Sequence, residues 1–291
     1  MGHPAAALHT SRRCEMNFSA TCKACSSLFR IRMAEGLQYR VSAISGVFVS
    51  VFWGLLECIL FTVFYTYSDN GAWNNNGLTL AQTLSYVWLA QGLFVLQTMS
   101  IDSEIMGKIN NGDVAVELCR PLNLYTHWFV KSSAGKLGTS WLRSLATIGA
   151  GLLMPAGYAL GAPASALGFV CFLLSVVMAF VLCSAFAMLV TAIRLNITWG
   201  DGPTYMLLLL SGILSGTYLP LRLWPDSMQT FLYLQPFGGF ADIPLQLYVG
   251  TLTPSLALPS IGLQILWSAA FIAAGRSIMN HKLKSIIVQG G

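Results

Sequence analysis

The chain has 291 residues, of which 55% are hydrophobic and only 9% are charged. Soluble domains carry about 25% charged residues and need them on their surface to stay dissolved. Together with a mean hydropathy of +0.64, this excludes an ordinary soluble domain and predicts an all-α integral membrane protein. The net charge of +5 does not indicate nucleic-acid binding, because the basic residues flank apolar runs, as membrane topology requires.

The chain begins with a segment that lacks the continuous apolar core of a signal peptide. We therefore predict a flexible cytoplasmic leader over residues 1–25, followed by one transmembrane domain over residues 26–291. The pair Cys22 and Cys25 has a spacing found in zinc sites, but the usual second ligand pair is missing, which favours incidental cysteines. Residues 26–40 (SSLFRIRMAEGLQYR) mix apolar and charged side chains and predict a helix lying along the inner membrane surface.

Six later stretches are apolar and long enough to cross a bilayer as helices, which takes about 20 residues. A helix is required because lipid cannot satisfy unpaired backbone groups. The predicted spans are residues 41–65, 79–100, 138–160, 165–193, 203–219 and 256–277.

The distribution of basic residues predicts the orientation of these spans. If the N-terminus is cytoplasmic, the outer connections contain Arg222 alone, and Arg143, near the start of the third span, can extend to the inner interface. The positive-inside rule therefore places both termini in the cytoplasm. The basic residues on the cytoplasmic side are Arg12, Arg13, Lys23, Arg30, Arg32, Arg40, Lys108, Arg120, Lys131, Lys136, Arg194, Arg276, Lys282 and Lys284.

Two connections are too long for simple turns. Residues 101–137 form a cytoplasmic loop between the second and third spans. Residues 220–255 are too apolar for a solvated loop, yet several prolines prevent a continuous helix. This combination predicts re-entrant outer helices before the sixth span.

Within the cytoplasmic loop, the motif NNGDVAVELCRP predicts a short helix with defined ends. Gly112 permits a sharp turn, and Asp113 can cap the helix or place a negative charge on its first turn. The predicted helix runs from Asp113 to Cys119 and includes Glu117; Pro121 disfavours helical geometry at Arg120 and so ends it. Two interpretations follow: a surface helix that ties two spans together, or a docking element for a cytoplasmic partner.

Glu57 is a carboxylate inside a predicted span, where a charge costs at least about 2.5–3.5 kcal/mol. It should therefore face other helices or water. Two interpretations stay open. Glu57 either lies on a transport path, or it is a structural group hydrogen-bonded to Gln91, Gln97 or a hydroxyl.

Signatures of catalysis are missing from the sequence. It contains no GxxxxGK[ST] phosphate loop, no HExxH motif and no GxSxG motif, and its four histidines are widely spread. We therefore expect that the chain is not an enzyme by itself and does not hydrolyse ATP.

Residues 109–129 (INNGDVAVELCRPLNLYTHWF) resemble the GD-x-A-x-x-L-x-R-P-L stretch of bacterial ABC-2 type permeases. Further motifs match this family in the same order along the chain, from about residue 26 to the end. They are Glu35 with Tyr39-Arg40, Pro220-Leu221, Trp224-Pro225-Asp226, Gln235-Pro236-Phe237, Tyr248-Val249-Gly250 and the terminal Val288-Gln289-Gly290-Gly291.

The resemblance implies a permease subunit of an ABC exporter in the bacterial inner membrane. It implies a second permease, either the same or a different chain, and two copies of a separate cytoplasmic ATPase that binds ATP and Mg²⁺. The loop between the second and third spans would carry the coupling helix. The ATPase-coupling residues implied for it are Gly112, Asp113, Glu117, Arg120 and Pro121, and the candidate substrate path includes Glu57, Gln91, Pro236 and Phe237.

The sequence therefore predicts a subunit that moves a small molecule, a peptide or a lipid-like compound out of the cell, in contact with membrane lipids. Charge reversal at Asp113 or Glu117 is expected to uncouple ATP hydrolysis from transport. The alternative is a stand-alone membrane protein, such as a lipid-modifying enzyme or a sensor, in which the loop is a scaffold.

Overall fold

The structure is a computed structural model that describes residues 18–38, 40–67, 78–97, 101–118, 122–155, 157–197 and 202–289. Throughout these ranges the chain forms helices and turns without any strand, which confirms the all-α class. The α-helices are α1 (Phe18–Gln38), α2 (Arg40–Tyr67), α3 (Leu80–Gln97), α4 (Ser103–Asn111), α5 (Val114–Leu118), α6 (Leu124–Leu152), α7 (Ala166–Asn196), α8 (Gly202–Leu214), α9 (Asp226–Leu234), α10 (Asp242–Val249) and α11 (Pro254–Gln289).

Among the residues that the structure describes, three helices are long and apolar enough to cross a membrane. These are Ile44–Tyr67 in α2, the whole of α7, and Pro254–Leu283 in α11. Most of α2 exposes large apolar side chains, which suits a helix surrounded by lipid or by another apolar surface. The three helices coincide with the predicted first, fourth and sixth spans.

The predicted second and third spans are also helical, but their polar residues are covered by protein. Helix α3 lies inside the bundle between α2, α6 and α10, and its residues 83–90 are all buried. Helix α6 buries several serines, a histidine and a lysine. Polar side chains in both helices are therefore shielded, and the count of six spans stays a prediction.

Two predicted spans differ in their bounds from the helices that overlap them. The third span was placed at 138–160, but α6 begins at Leu124, where Asn123 accepts a hydrogen bond from the Tyr125 backbone N–H and caps the helix. The same helix ends at Leu152, before the residues expected to complete the span. The predicted loop therefore contains the first turns of α6.

The helix within the predicted fifth span, 203–219, is shorter than the prediction. Helix α8 ends at Leu214 and is about 20 Å long, which is shorter than the roughly 30 Å hydrocarbon core. The chain then turns at Gly216, whose φ of 79° favours glycine.

Helix α1 begins at Phe18, within the predicted leader, and continues through most of the predicted interfacial range 26–40; residues 1–17 lie outside the described residues. The helix packs along α6, and the two backbones meet at Gly36 and Gly138. A Cβ atom at Gly36 would lie 2.7 Å from the carbonyl carbon of Gly138. Only glycine permits this close approach.

Residues 215–249 fold into short helical pieces, as the prolines of this region predict. They include two 3-10 turns, Leu221–Leu223 and Pro236–Gly239, together with α9 and α10. Pro225 precedes α9, and Pro236 occupies the first turn of its 3-10 segment, where proline has no N–H to leave unpaired. We call residues 215–249 the short-helix segment; the prediction that it re-enters the membrane stays open.

Candidate functional site

The candidate site is the corner made by α4 and α5, residues 102–118, which we call the α4–α5 corner. Asp102 starts α4, because its carboxylate accepts hydrogen bonds from the backbone N–H groups of Glu104 and Ile105 at 3.0 and 3.2 Å. Gly112 ends α4 with a φ of 78°. A Cβ atom at Gly112 would meet nothing within 4 Å, so backbone conformation rather than space favours glycine here.

Helix α5 presents two faces of opposite character. Val114 and Glu117 are buried, whereas Asp113 is exposed and Val116 has 67% of its surface accessible. An acidic and an apolar side chain, Asp113 and Val116, therefore face outward at α5.

An apolar cluster fixes the corner to one end of the helix bundle. Ile105 of α4 and Val114 of α5 are buried in it, and the other members come from α6, α7 and α11. Burial of such side chains stabilises packing by about 1.5–3 kcal/mol each. The remaining buried members are Leu124, Tyr125, Trp128, Met188, Ala192, Met279 and Leu283.

Glu104 is the centre of an ion-pair network that joins three helices. Its carboxylate lies 2.7 Å from Arg32 of α1, 3.1 Å from Lys108 of its own helix and 2.5 Å from Lys131 of α6. Arg32 also pairs with Glu35 at 2.9 Å. The position of α4 relative to α1 and α6 is therefore set by charge as well as by apolar packing.

The protonation of this network follows from its geometry. Burial alone would raise the pKa of Glu104, but the hydrogen bonds from Lys131 and Lys108 outweigh burial and lower the pKa to about 2. Burial lowers the pKa of Lys131, while its hydrogen bond to Glu104 acts in the opposite direction. The carboxylate of Glu104 is consequently ionised across the physiological pH range.

Glu117 extends the network inward. Its side chain is only 3% exposed; one carboxylate oxygen lies 2.6 Å from Lys108 Nζ and the other 3.3 Å from His127 Nδ1. The sequence interpretation placed Glu117 on the polar contact surface of the helix together with Asp113. The structure separates the two: Asp113 faces outward, and Glu117 joins α5 to α4 and α6.

A further contact reaches α7. Arg194, in the last turn of α7, donates to the side-chain oxygen of Asn110 at 3.0 Å and to the Ile197 carbonyl at 2.7 Å. The α4–α5 corner is thus attached by polar side chains to α1, α6 and α7. A force applied to the corner would reach all three helices.

The other residues predicted for ATPase coupling are placed as follows. Gly112 forms the turn between α4 and α5, as expected. Arg120 and Pro121 lie outside the described residues. Of the five predicted coupling residues, the structure therefore brings Gly112, Asp113 and Glu117 together in one corner.

The four residues predicted for a substrate path make contacts in two pairs. Gln91 of α3 donates to a carboxylate oxygen of Glu57 of α2 at 3.1 Å, which is the geometry of the structural interpretation. Phe237 instead packs in an aromatic cluster with Phe186 of α7, at 5.4 Å between ring centroids. Pro236 begins the 3-10 turn that carries Phe237.

Sequence reasoning missed Asp102, Glu104, Lys131 and His127 as parts of this site. A signal for α4 exists in the sequence, because Asp102 stands immediately before a segment with Glu104 and Lys108 at i and i+4. That pattern is typical of a capped helix with an internal ion pair. Nothing in the sequence pairs Glu104 with Arg32, because the two residues are distant along the chain.

The comparison with known families supports the interpretation of this chain as part of a membrane transporter. The family described as "ABC-2 family transporter protein" matches residues 51–290, which is most of the chain. The chain belongs to the ABC-2 transporter family. Comparisons with curated proteins and with solved structures find no match.

Membership gives the α4–α5 corner its functional context. The chain is a membrane protein of a family of transport subunits, and such permeases work with ABC ATPases in general. The matched range includes the whole corner, two of the three candidate membrane helices, and the first one from Val51 onward.

Proposed function

We propose that this ABC-2 protein is the permease subunit of an ATP-driven exporter in the bacterial inner membrane, and that the α4–α5 corner docks on a separate cytoplasmic ATPase. The observation that carries the proposal is the corner itself. It is capped by Asp102, turned by Gly112 and attached to the ends of several long helices. A rigid, attached element is what transmission of motion from a docked partner requires.

The outward residues of the corner define the contact. Val116 offers an exposed apolar side chain, and Asp113 places a negative charge beside it. An apolar anchor beside polar groups is the composition of protein interfaces. Glu117 acts on the inner side of the corner and holds it to α4 and α6.

In the proposed mechanism, two ATPase subunits bind ATP and Mg²⁺ and close on each other. The corner moves with the ATPase, and the ion pairs of Glu104 and the apolar cluster carry that motion to α1, α6, α7 and α11. A second permease, of the same or a different sequence, completes the transport path. The exposed apolar side of α2 supports a surface covered by lipid or by that second permease.

The test is a charge reversal on the outward side of the corner. Asp113→Lys is expected to leave the complex assembled but to lower transport per ATP hydrolysed by roughly tenfold, about 1.4 kcal/mol of coupling. The matched control is Asp226→Lys, because Asp226 is an exposed aspartate on the short-helix segment, outside the corner. Export and ATP hydrolysis are measured in vesicles that contain the permease together with its ATPase.

The outcomes separate the proposal from its alternative. Equal loss in both variants, or unchanged coupling in Asp113→Lys, would count against docking at this corner. A permease that never copurifies with a cytoplasmic ATPase would instead favour a stand-alone membrane protein. Sensitivity of a deletion strain to a panel of toxic organics, peptides and lipids would define the substrate class.

A further inference from the structure

A buried carboxyl group in the short-helix segment has an unusual hydrogen-bond environment. Asp242 is 0% exposed, and its side chain is surrounded by groups from other elements. Oδ1 lies 2.9 Å from the Tyr86 hydroxyl of α3 and 3.1 Å from the Leu221 backbone N–H, and Oδ2 accepts from Gln246. This one side chain therefore joins α3, the 3-10 turn at Leu221 and α10.

If Asp242 is ionised, there are too few hydrogens to form both hydrogen bonds of the Tyr86 hydroxyl. The Tyr86 oxygen lies 2.7 Å from the Gly216 carbonyl oxygen and 2.9 Å from Asp242 Oδ1. A tyrosine hydroxyl has a single hydrogen. It can donate to the carbonyl or to the carboxylate, and the remaining contact would then hold two acceptor oxygens against each other.

A proton on Asp242 Oδ1 removes this conflict. The carboxyl O–H then donates to the Tyr86 oxygen, and the Tyr86 O–H donates to the Gly216 carbonyl. Oδ1 keeps a lone pair for the Leu221 N–H, and Oδ2 keeps its bond from Gln246. Every polar atom of this buried group is then satisfied, as is normal in protein interiors.

The charged and titratable surroundings favour the neutral form. Within the part of the chain that the structure describes, no ion pair joins Asp242 to a cation. Arg222, the nearest cationic influence, donates its Nη2 to the Thr251 carbonyl at 3.0 Å, and α9 contributes the neutral Tyr233. On α7, Phe169 and Phe172 pack against α10.

Burial raises the pKa of Asp242 to about 6, although the hydrogen bonds that its carboxyl group accepts from Leu221 and Gln246 lower it in part. Because the pKa of this acid is raised on folding, the packed segment binds the proton more tightly than the unfolded chain does. The stabilisation of the packed state is therefore fully present below about pH 4, the ordinary range of an aspartate, and is lost as the pH rises to about 6.

We propose that Asp242 carries a proton on Oδ1 when the short-helix segment is packed on α3, and that loss of this proton to water loosens the segment. Asp242 is then a proton-dependent positioning residue for the chain that leads from α8 into α11. This role does not depend on the ATPase partner, because it concerns contacts within the permease alone.

The first experiment uses the purified full-length chain in lipid nanodiscs and infrared spectroscopy. At about pH 5, the wild-type spectrum minus the Asp242→Asn spectrum is expected to contain the C=O band of a protonated carboxylic acid. That band should disappear as the pH is raised. A difference spectrum without it at every pH would overturn the proposal.

The second experiment identifies which group donates the hydrogen bond between Asp242 and Tyr86, from the direction in which Tyr86→Phe shifts the titration midpoint of the carboxylic acid band. In Tyr86→Phe the carboxyl proton loses its acceptor, so the midpoint of the band's titration should move to lower pH. If the Tyr86 hydroxyl donates to an ionised carboxylate instead, its removal stabilises the neutral form and moves the midpoint to higher pH. A shift to higher pH would therefore contradict the proposed proton position.

The third measurement is hydrogen exchange of the short-helix segment, expressed as protection factors so that the intrinsic pH dependence of exchange is removed. In the wild type we expect protection to fall about fivefold between about pH 5 and pH 8, the size of one net hydrogen bond. Asp242→Asn should show no such pH dependence. The matched control, Asp226→Asn on exposed Asp226, should behave as the wild type, and an unchanged pH dependence in Asp242→Asn would overturn the role.

Discussion

Asp113 and Glu117 have the same charge and lie one helical turn apart, yet burial gives them different tasks. Asp113 is exposed, so it is free of the cost of desolvation and available to a partner. Glu117 is buried between Lys108 and His127, so its charge is used within the chain. Substitutions at the two positions should therefore fail in different ways.

The substitution Glu117→Gln tests whether Glu117 holds α5 to α4 and α6. The substitution keeps the shape of the side chain but removes its charge, leaving the ammonium group of Lys108 with one fewer carboxylate. We expect a loss of about 1–3 kcal/mol in the free energy of unfolding, measured by thermal unfolding of the purified chain. Asp113→Asn, the exposed counterpart, should change it by less than about 0.5 kcal/mol; equal midpoints in the two variants would contradict the assignment.

At the scale of single elements, the sequence locates the apolar helices well but does not locate the polar, buried start of α6. Helices α2, α7 and α11 are apolar on every side, so composition alone locates them. Helix α6 begins with Lys131 and His127 on a buried face, and such residues resemble a solvated loop until their partners are known. Tertiary contacts, which sequence periodicity does not contain, turn that apparent loop into helix.

The candidate site was also predicted only in part from the sequence. Gly112 and the turn between α4 and α5 follow from local backbone chemistry, and the motif predicted them. The inward direction of Glu117 does not follow, because a helix of five residues is too short for a pattern to define its buried face. The cation partners of Glu104 come from α1 and α6, far away in sequence.

Acid should loosen the contact between α1 and α4. The pKa of Glu104 is lowered to about 2 on folding, so its ion pairs stabilise the fold at pH values above the ordinary range of a glutamate. That contribution is lost as the pH falls through about 4 towards about 2. The carboxylate is partly exposed and screened, so we expect an effect below about 1 kcal/mol.

The measurement compares acid unfolding curves of the wild type and of Glu104→Gln. The variant should be less stable at neutral pH, and the two curves should converge as acid protonates Glu104. Glu35→Gln is the control, because Glu35 pairs with Arg32 on the same helix and does not bridge to α4. Curves of wild type and Glu104→Gln that stay a constant distance apart would exclude a role for the ionised carboxylate.

At the scale of the whole molecule, the contacts between α1 and α6 connect the corner to the rest of the bundle. Helix α1 holds Arg32, which pairs with Glu104, and continues to Gly36, where it crosses α6 at Gly138. Movement of the corner thus reaches α1 and α6 at two separate places. The chain passes from α1 almost directly into α2, so α1 also links the corner to a candidate membrane span.

A methyl group at this crossing should separate α1 from α6. In Gly36→Ala the new Cβ would lie 2.7 Å from backbone atoms of Gly138, which have no flexible end to move aside. We expect about 1–3 kcal/mol of destabilisation, together with faster proteolysis within α1 and fewer molecules transported per ATP. Gly149→Ala is the matched control, because Gly149 is also helical but has open space around it, and alanine there should be neutral or stabilising by up to about 1 kcal/mol. If both variants keep wild-type stability and coupling, α1 does not need this crossing, and the motion of the corner must reach the membrane helices through α6, α7 and α11 alone.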